Sequence, residues 1–340
     1  MQFARKHFLS ALLLANKIIP NKRIQPVLSS VLITPDSIRS TNLDVWASHT
    51  VFGFGYENKL ALVTPARKLA ELVKSLSDDL ISFTVNNYGW TLNGLKLETF
   101  DALDFPEPPP DQTSFNSVSD LKFLLSKTLF ACAASKSGQL VLECIGWSGS
   151  NVFGSDGSRV SWVTSTEVDF TTTIPKEPLQ LIESLVVDHA IAYVGFNNPW
   201  LELKSPSWNY KIRTVVQPFP PCQKLFPERT YPTQISLNRT DVLRALKPLR
   251  VKLNKESPVI TVSQVQGLDA GKLANNEDSV TVAMSVSGSF QPFRVNYHFF
   301  EQMIESSTKK EAITIHYNKP GDPLLLIEDD YKHLLMPVLK

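Results

Sequence analysis

Cysteine is scarce. Cys132, Cys144 and Cys222 are too few and too odd in number for a disulfide framework, and no two stand in a Cys-x-x-Cys pair that would hold zinc. A reducing compartment is the resulting expectation. Long apolar runs are missing as well: Ala11–Ala15 and Leu324–Ile327 are among the longest, far below the ~20 residues needed to cross a bilayer. The stretch from Phe8 to Ile19 follows Arg5 and Lys6 as a secretory signal would. Ser10, Asn16 and Lys17 interrupt it, and no small-x-small cleavage site follows, so it reads as an amphipathic helix. Nor does either charge dominate: the net charge is +1, whereas a general nucleic-acid binder is usually strongly basic.

The motifs of common catalytic centres are absent too. There is no Gly-x-x-x-x-Gly-Lys-Ser/Thr phosphate loop, no Gly-x-Gly-x-x-Gly after a strand and no His-Glu-x-x-His. Gly146-Trp147-Ser148-Gly149-Ser150 lacks the second glycine in register for a nucleophile elbow, and Gly154–Ser158 reads as a turn between strands. The six histidines are scattered without ligand spacing and read as packing or surface residues. Asp78-Asp79 and Asp329-Asp330 fall where turns are expected. No catalytic residue, cofactor or metal is expected from these residues.

What is present is a repeat. One kind of helix is expected at Phe3–Ile19, Ser119–Ser135 and Asn238–Lys247, with aliphatics at i, i+3, i+4 spacing and Ser119 and Asn238 as N-caps. A second kind begins near residues 65, 175 and 296, two of the three with Pro in the first turn. Those starts are 110 and 121 residues apart, close to one third of 340. Between the helices lie alternating runs that read as strands: Val27–Thr34, Ser82–Val85, Leu140–Cys144, Ala190–Phe196, Val259–Val265, Val280–Val286, Ala312–Tyr317 and Leu324–Glu328. Two proline-dense linkers, from Phe105-Pro106 and from Pro218-Phe219-Pro220, repeat the period independently, their Phe-Pro steps being 114 residues apart. The expectation is an α+β chain of three tandem domains, 1–112, 113–229 and 230–340, with antiparallel sheets covered by helices.

Charge is unevenly spread over that repeat. Residues 3–19 carry +3, 117–136 carry +2 and 238–255 carry +5, so the first-kind helices hold +10 and the remainder −9. Basic charge at the same place in three repeats suits a surface that faces a polyanion. A solvated helix face would look the same in sequence.

Four segments then resemble the DNA polymerase III β subunit, the bacterial and phage-borne β sliding clamp. Ser40–Asp44 with Val63-Thr-Pro-Ala-Arg-Lys-Leu69 and Phe105-Pro106 are similar to the family's first domain. Ser155-Asp-Gly-Ser-Arg-Val160 resembles its Thr-Asp-Gly-His-Arg-Leu turn, Phe219-Pro220 with Lys224-Leu225 its second linker, and His333–Lys340 its hydrophobic-Met-Pro tail.

The resemblance implies a homodimeric ring with helices lining the hole and sheets outside, holding a polymerase on duplex DNA without reading sequence. The protein would be non-catalytic and cytoplasmic, nucleoid-associated, or in host cytoplasm if phage-encoded. Its partners would be DNA, the polymerase, a clamp loader and a second copy of itself. The DNA-facing residues so implied are Arg5, Lys6, Lys22, Arg23, Lys122, Lys127, Arg239 and Arg244. A partner-peptide pocket would comprise Ser155, Gly157, Ser158, Arg159, Val160, Pro220, Lys224, Leu225, Leu334, Leu335, Met336, Pro337 and Val338. Three departures from the family, Ser158 for its His, Ser137 near its Leu and Lys224 for its Arg, imply a shifted peptide preference. Pro248 is expected to kink the third domain's first helix or end it early. The residues alone leave two other classes open: a clamp-like scaffold that does not encircle DNA, and an enzyme on a repeated α+β scaffold with a dispersed site.

Overall fold

The computed structural model describes every residue except 21–24, 56–60, 166, 227–230, 254–257, 268, 276–277, 310 and 340. The first third runs β1 (Gln2–Ala4), α1 (Arg5–Asn16), β2 (Ser30–Ile33), β3 (Ser37–Thr41), β4 (Val45–Thr50), β5 (Leu62–Pro65), α2 (Ala66–Ser75), β6 (Leu80–Asn86), β7 (Gly89–Leu92) and β8 (Leu95–Lys96). The middle runs β9 (Asn116–Val118), α3 (Leu121–Thr128), β10 (Cys144–Ser148), β11 (Asn151–Ser155), β12 (Arg159–Thr164), β13 (Thr171–Pro175), α4 (Lys176–Leu185), β14 (Ala192–Asn197), β15 (Trp200–Ser205) and β16 (Trp208–Arg213). The last third runs β17 (Thr233–Asn238), α5 (Arg239–Val251), β18 (Val259–Gln264), β19 (Ala270–Ala274), β20 (Ser279–Ser287), β21 (Phe293–Asn296), α6 (Tyr297–Ser306), β22 (Ala312–Tyr317), β23 (Leu324–Ile327) and β24 (Tyr331–Leu335). The α+β class expected from the sequence is observed. No described helix is long and apolar enough to cross a membrane.

By internal packing the chain divides into two compact units, residues 1–121 with 177–216, and residues 122–176 with 217–340. The first unit holds an eight-stranded antiparallel sheet, β5-β2-β3-β4-β16-β15-β14-β9, and a four-stranded one, β1-β6-β7-β8. In α1 the residues Phe8, Ala11, Leu12 and Ala15 fall on one stripe and are buried. They meet the inward face of α2 (Leu69, Ala70, Val73) and the strand residues Phe3, Ile81 and Phe83, with Phe3, Phe8 and Phe83 in mutual ring contact. The second unit holds one twelve-stranded sheet, β13-β10-β11-β12-β24-β23-β22-β17-β20-β19-β18-β21. Its nine-residue β20 pairs through one end with β17 and through the other with β19, which keeps the ladder continuous.

Four expectations need correction. Leu140–Glu143 is a 3₁₀ turn, not strand: the Glu143 carboxylate accepts from Ser137 N (2.7 Å) and Ser137 Oγ (2.9 Å), folding this segment back until pairing starts at Cys144. Val27–Ser29 is likewise 3₁₀, opened by Pro26. Pro65 and Pro175 end strands β5 and β13 and precede their helices. Both strands are sheet edges, where a missing N–H is tolerated. And α5 does not stop at Pro248 but continues to Val251. The ring lies on the exposed face, and the following Leu249 is buried, holding the last turn down. Asn238 does cap this helix, its Oδ1 accepting from Asp241 N at 3.0 Å.

Candidate functional site

The peptide-pocket residues lie within the second unit, around the ladder between β12 and β24. Its register is Val160↔Leu334, Ser161↔His333 and Trp162↔Lys332. The entry to β12 is a tight turn: Gly157 takes a φ of +90°, which favours glycine, and Asp156 Oδ1 accepts from Ser158 N (2.9 Å) and Arg159 N (3.2 Å). Ser155 Oγ donates to Arg159 O at 2.8 Å, closing the turn. Met336 N donates to Ser158 O at 2.9 Å, so the tail keeps pace with the turn beyond the end of β24.

Strand alternation sorts these residues onto two faces. On one face Val160, Trp162, Phe153, Leu325 and Leu334 form an apolar cluster with Cys222, and Phe219, Phe226 and Tyr231 pack against it. The Phe226 ring meets Trp162 edge-on at 5.3 Å, and the Lys332 ammonium sits 4.2 Å from the indole centroid. Trp162 Nε1 donates to Asn151 Oδ1 at 2.9 Å, so the indole is fixed at both ends. Burial pushes the Cys222 thiol up to about 11. Met336, two residues after Leu334, is 41% exposed; Pro337 and Val338 are half-buried, and Pro220, Lys224 and Leu225 are exposed beside the cluster.

Arg159 and Leu335 belong to the opposite face. Arg159 is only 5% exposed: its Nε meets Asp156 Oδ2 at 2.9 Å, Nη2 donates to Phe130 O at 2.6 Å, Nη1 donates to Gln302 Oε1, and the guanidinium lies 4.2 Å from the Phe299 ring centroid. Burial holds its pKa below the usual arginine range, against the pull of Asp156. It ties the 3₁₀ turn after α3 (Leu129–Ala131) and α6 to the β12 turn, and its burial turns the guanidinium away from the cluster face. Leu335, paired with Arg159, is wholly buried. The structure thus brings together Val160, Leu334, Met336 and the linker, and does not bring Arg159 or Leu335 to them. Trp162, Phe153, Phe226 and Lys332 were not anticipated. Carrying the alternation of β12 two residues past Val160 would have found Trp162.

The basic residues are placed unequally. Lys6 on α1 is exposed, and Arg5 donates from Nε to Asp78 O at 2.8 Å. Lys122 is half-buried. Arg244 is exposed with Asp241 3.3 Å away. Lys127 turns inward: its Nζ donates to Ser306 O and lies 5.4 Å from the Tyr331 ring centroid, and burial lowers its pKa despite Glu328. Arg239 donates to Ile304 O (3.1 Å) and Glu305 O (2.9 Å). Lys127 and Arg239 together cap the C-terminal carbonyls of α6, where cations are favoured. Lys22 and Arg23 lie outside the described residues.

The chain, with a helix entered from β1, β5, β9, β13, β17 and β21 in turn, has the fold of the DNA polymerase sliding clamps. Residues 1–109 match the family model for the DNA polymerase III beta subunit, N-terminal domain. No curated protein sequence matches the chain. Among solved structures, the DnaN sliding clamp of Bartonella birtlesii, bound to griselimycin, is similar at a TM-score of 0.88 and 20% identity, over 100% of this chain and 99% of its own. The sliding clamp of Bacillus subtilis gives 0.87 at 15% identity, over 100% and 98%. The DNA polymerase III beta subunit of Thermotoga maritima gives 0.84 at 17%, over 100% and 99%. The likeness is one of fold, carried through the whole chain, and bears out the resemblance read from the four sequence segments.

Proposed function

We propose that this chain is a DNA sliding clamp: a non-catalytic processivity factor of three domains, 1–112, 113–229 and 230–340, two copies of which close around duplex DNA. The observation that carries the reading is the agreement of fold with sliding clamps from end to end of the chain. In this reading, exposed cations on the first-kind helices, Lys6 and Arg244 among them, touch phosphates. Such contacts are blind to sequence and exchange quickly, which suits sliding. The polymerase and the clamp loader would dock by an apolar peptide on the face of Val160, Leu334 and Met336, with Met336 as the adaptable wall. Neither cofactor nor metal takes part, and the protein acts in the cytoplasm.

A protein-binding scaffold that does not encircle DNA is the second reading. It draws on the engagement of Lys127 and Arg239 with backbone carbonyls, which removes two of the eight expected DNA contacts. One experiment separates the two. Retention on nicked circular DNA after loading, with escape once the circle is cut, is the expected result for a ring. Equal retention on circular and linear DNA would sink it, and no retention on either would favour the scaffold.

A further inference from the structure

The ladder between β4 and β16, in the first unit, repeats the chemistry of the β12–β24 ladder. Trp46 pairs with Lys211 as Trp162 pairs with Lys332, and each tryptophan has a phenylalanine of the neighbouring linker edge-on to it, Phe105 in the first case (6.4 Å) and Phe226 in the second (5.3 Å). The two differ in what fills the space beside the indole. In the second unit, linker residues Phe219 and Phe226 both pack there. The first linker offers Phe105 alone, because residues 106–114 contain no aromatic side chain; Phe100 and Trp200, from outside the linker, also pack against the Trp46 cluster.

A cavity of about 330 Å³ remains between the sheet face and the first linker, lined in part by Arg39, Trp46, Phe105 and Lys211. That volume falls within the range of small-ligand sites. The linker is held over it as a fixed wall. Lys211, 5% exposed, donates from Nζ to Pro109 O (2.6 Å) and Asp111 Oδ1 (2.5 Å), and Gln112 N donates to Glu202 Oε2 (3.0 Å). Lys211 is thereby neutralised. Arg39 makes no ion pair within 4 Å among the described residues: its Nε donates to the Ser37 hydroxyl at 3.1 Å, and the carboxylates of Asp36 and Asp111 act on it only from farther off. Asn209, also lining the cavity, gives its Nδ2 to Glu202 Oε1 (2.8 Å) and leaves Oδ1 buried without a donor.

We propose that this cavity is a second docking groove, which takes an extended peptide of a partner protein bearing an aromatic side chain next to a carboxylate. The ring would occupy the counterpart of the place that Phe219 takes in the second unit, the place of Phe226 being filled here by Phe105. The carboxylate would pair with Arg39, and a backbone N–H would satisfy Asn209 Oδ1. This groove is distinct from the one proposed at Val160, Leu334 and Met336, and either can fail without the other.

The probe is a fluorescein-labelled hexapeptide, Ser-Gly-Phe-Asp-Glu-Gly, titrated by anisotropy against the full chain. Saturable binding is expected. It should weaken about tenfold with Arg39→Glu, by a similar factor when Ala replaces the peptide's Phe, and by less than about twofold with Met336→Ala. A version with benzoylphenylalanine in place of Phe, photolysed on the unaltered protein, should label Trp46 or residues 105–111, a readout that needs no variant to fold. Absence of saturable binding, loss on Met336→Ala but not on Arg39→Glu, undiminished binding of the Ala peptide, or labelling at Trp162 or residues 219–226 would each overturn the proposal.

Discussion

Trp162 faces Lys332 across the β12–β24 ladder, with the ammonium 4.2 Å from the indole centroid and the Phe226 ring edge-on to the indole at 5.3 Å. In the proposed clamp, this pair marks the boundary between what is filled from within the chain and what a peptide partner would cover. Beyond it the exposed Met336 and Leu225 are the apolar surface on offer.

Met336→Ala should therefore weaken binding of a polymerase-derived peptide by more than about 1 kcal/mol, the effect of truncating an anchor at a small interface, without lowering the melting temperature. Leu335→Ala should do the reverse. Its side chain is fully buried on the other face, so denaturant unfolding should show a loss of about 2–5 kcal/mol. A Leu335→Ala protein of unchanged stability would show that the two faces are assigned wrongly.

Arg159→Lys should not substitute for arginine. The guanidinium reaches Asp156, Phe130 O and Gln302 at once, and a lysine has one nitrogen to do the same. Urea unfolding should register a loss of about 3 kcal/mol or more, the range for breaking a buried ionic tie. If peptide affinity fell while stability held, Arg159 would belong to the groove after all.

Two buried histidines set a pH dependence. Burial drives His49 down to about 4, with its Nε2 3.1 Å from the Tyr210 hydroxyl, and His333 down to about 3, stacked on Phe130. Both are neutral when folded and protonated below about 6.5 when unfolded, so the unfolded chain binds the extra protons. Stability should be full above pH 6.5 and fall as pH drops from there toward 4, by about 1.4 kcal/mol per pH unit for each histidine. Unfolding free energies measured from pH 7 to pH 5 check the slope, and His49→Gln with His333→Gln should flatten it.

Charge reversal should separate exposed cations from structural ones. Lys6→Glu and Arg244→Glu should leave the fold intact and reduce the salt dependence of DNA binding, with each lost phosphate contact lowering the log–log slope by about 0.9. Arg239→Glu should instead destabilise the protein, because it puts a carboxylate against the Ile304 and Glu305 carbonyls. Salt titrations paired with thermal melts distinguish these outcomes.

The helices were legible because a 3.6-residue stripe leaves a local trace: Phe8, Ala11, Leu12 and Ala15 specify the buried face of α1 without reference to any distant residue. The 3₁₀ turn at Leu140–Glu143 was not, since its apolar run matches a strand and only the Glu143–Ser137 contacts forbid one. In the groove, Val160 and Leu334 were reached through the resemblance. Arg159 was misplaced for a general reason: a motif aligns positions, whereas the face a side chain takes depends on pairing with β24, more than 160 residues away. The same distance hid Trp46 and Lys211, which no local pattern connects.

That distance also bears on how the protein is made. Translation delivers β12 long before β24, the strand that lies between β12 and β23 in the finished sheet. Until residues 331–335 have left the ribosome, β12 has one side of its ladder unpaired, and so has β23 once it has been made. At about 5–20 residues per second that interval lasts on the order of ten seconds or more. A naked strand edge is a template for pairing with the wrong chain. Chains halted before residue 331 should therefore aggregate more readily than the finished protein, whose β12 and β23 edges are both covered by β24.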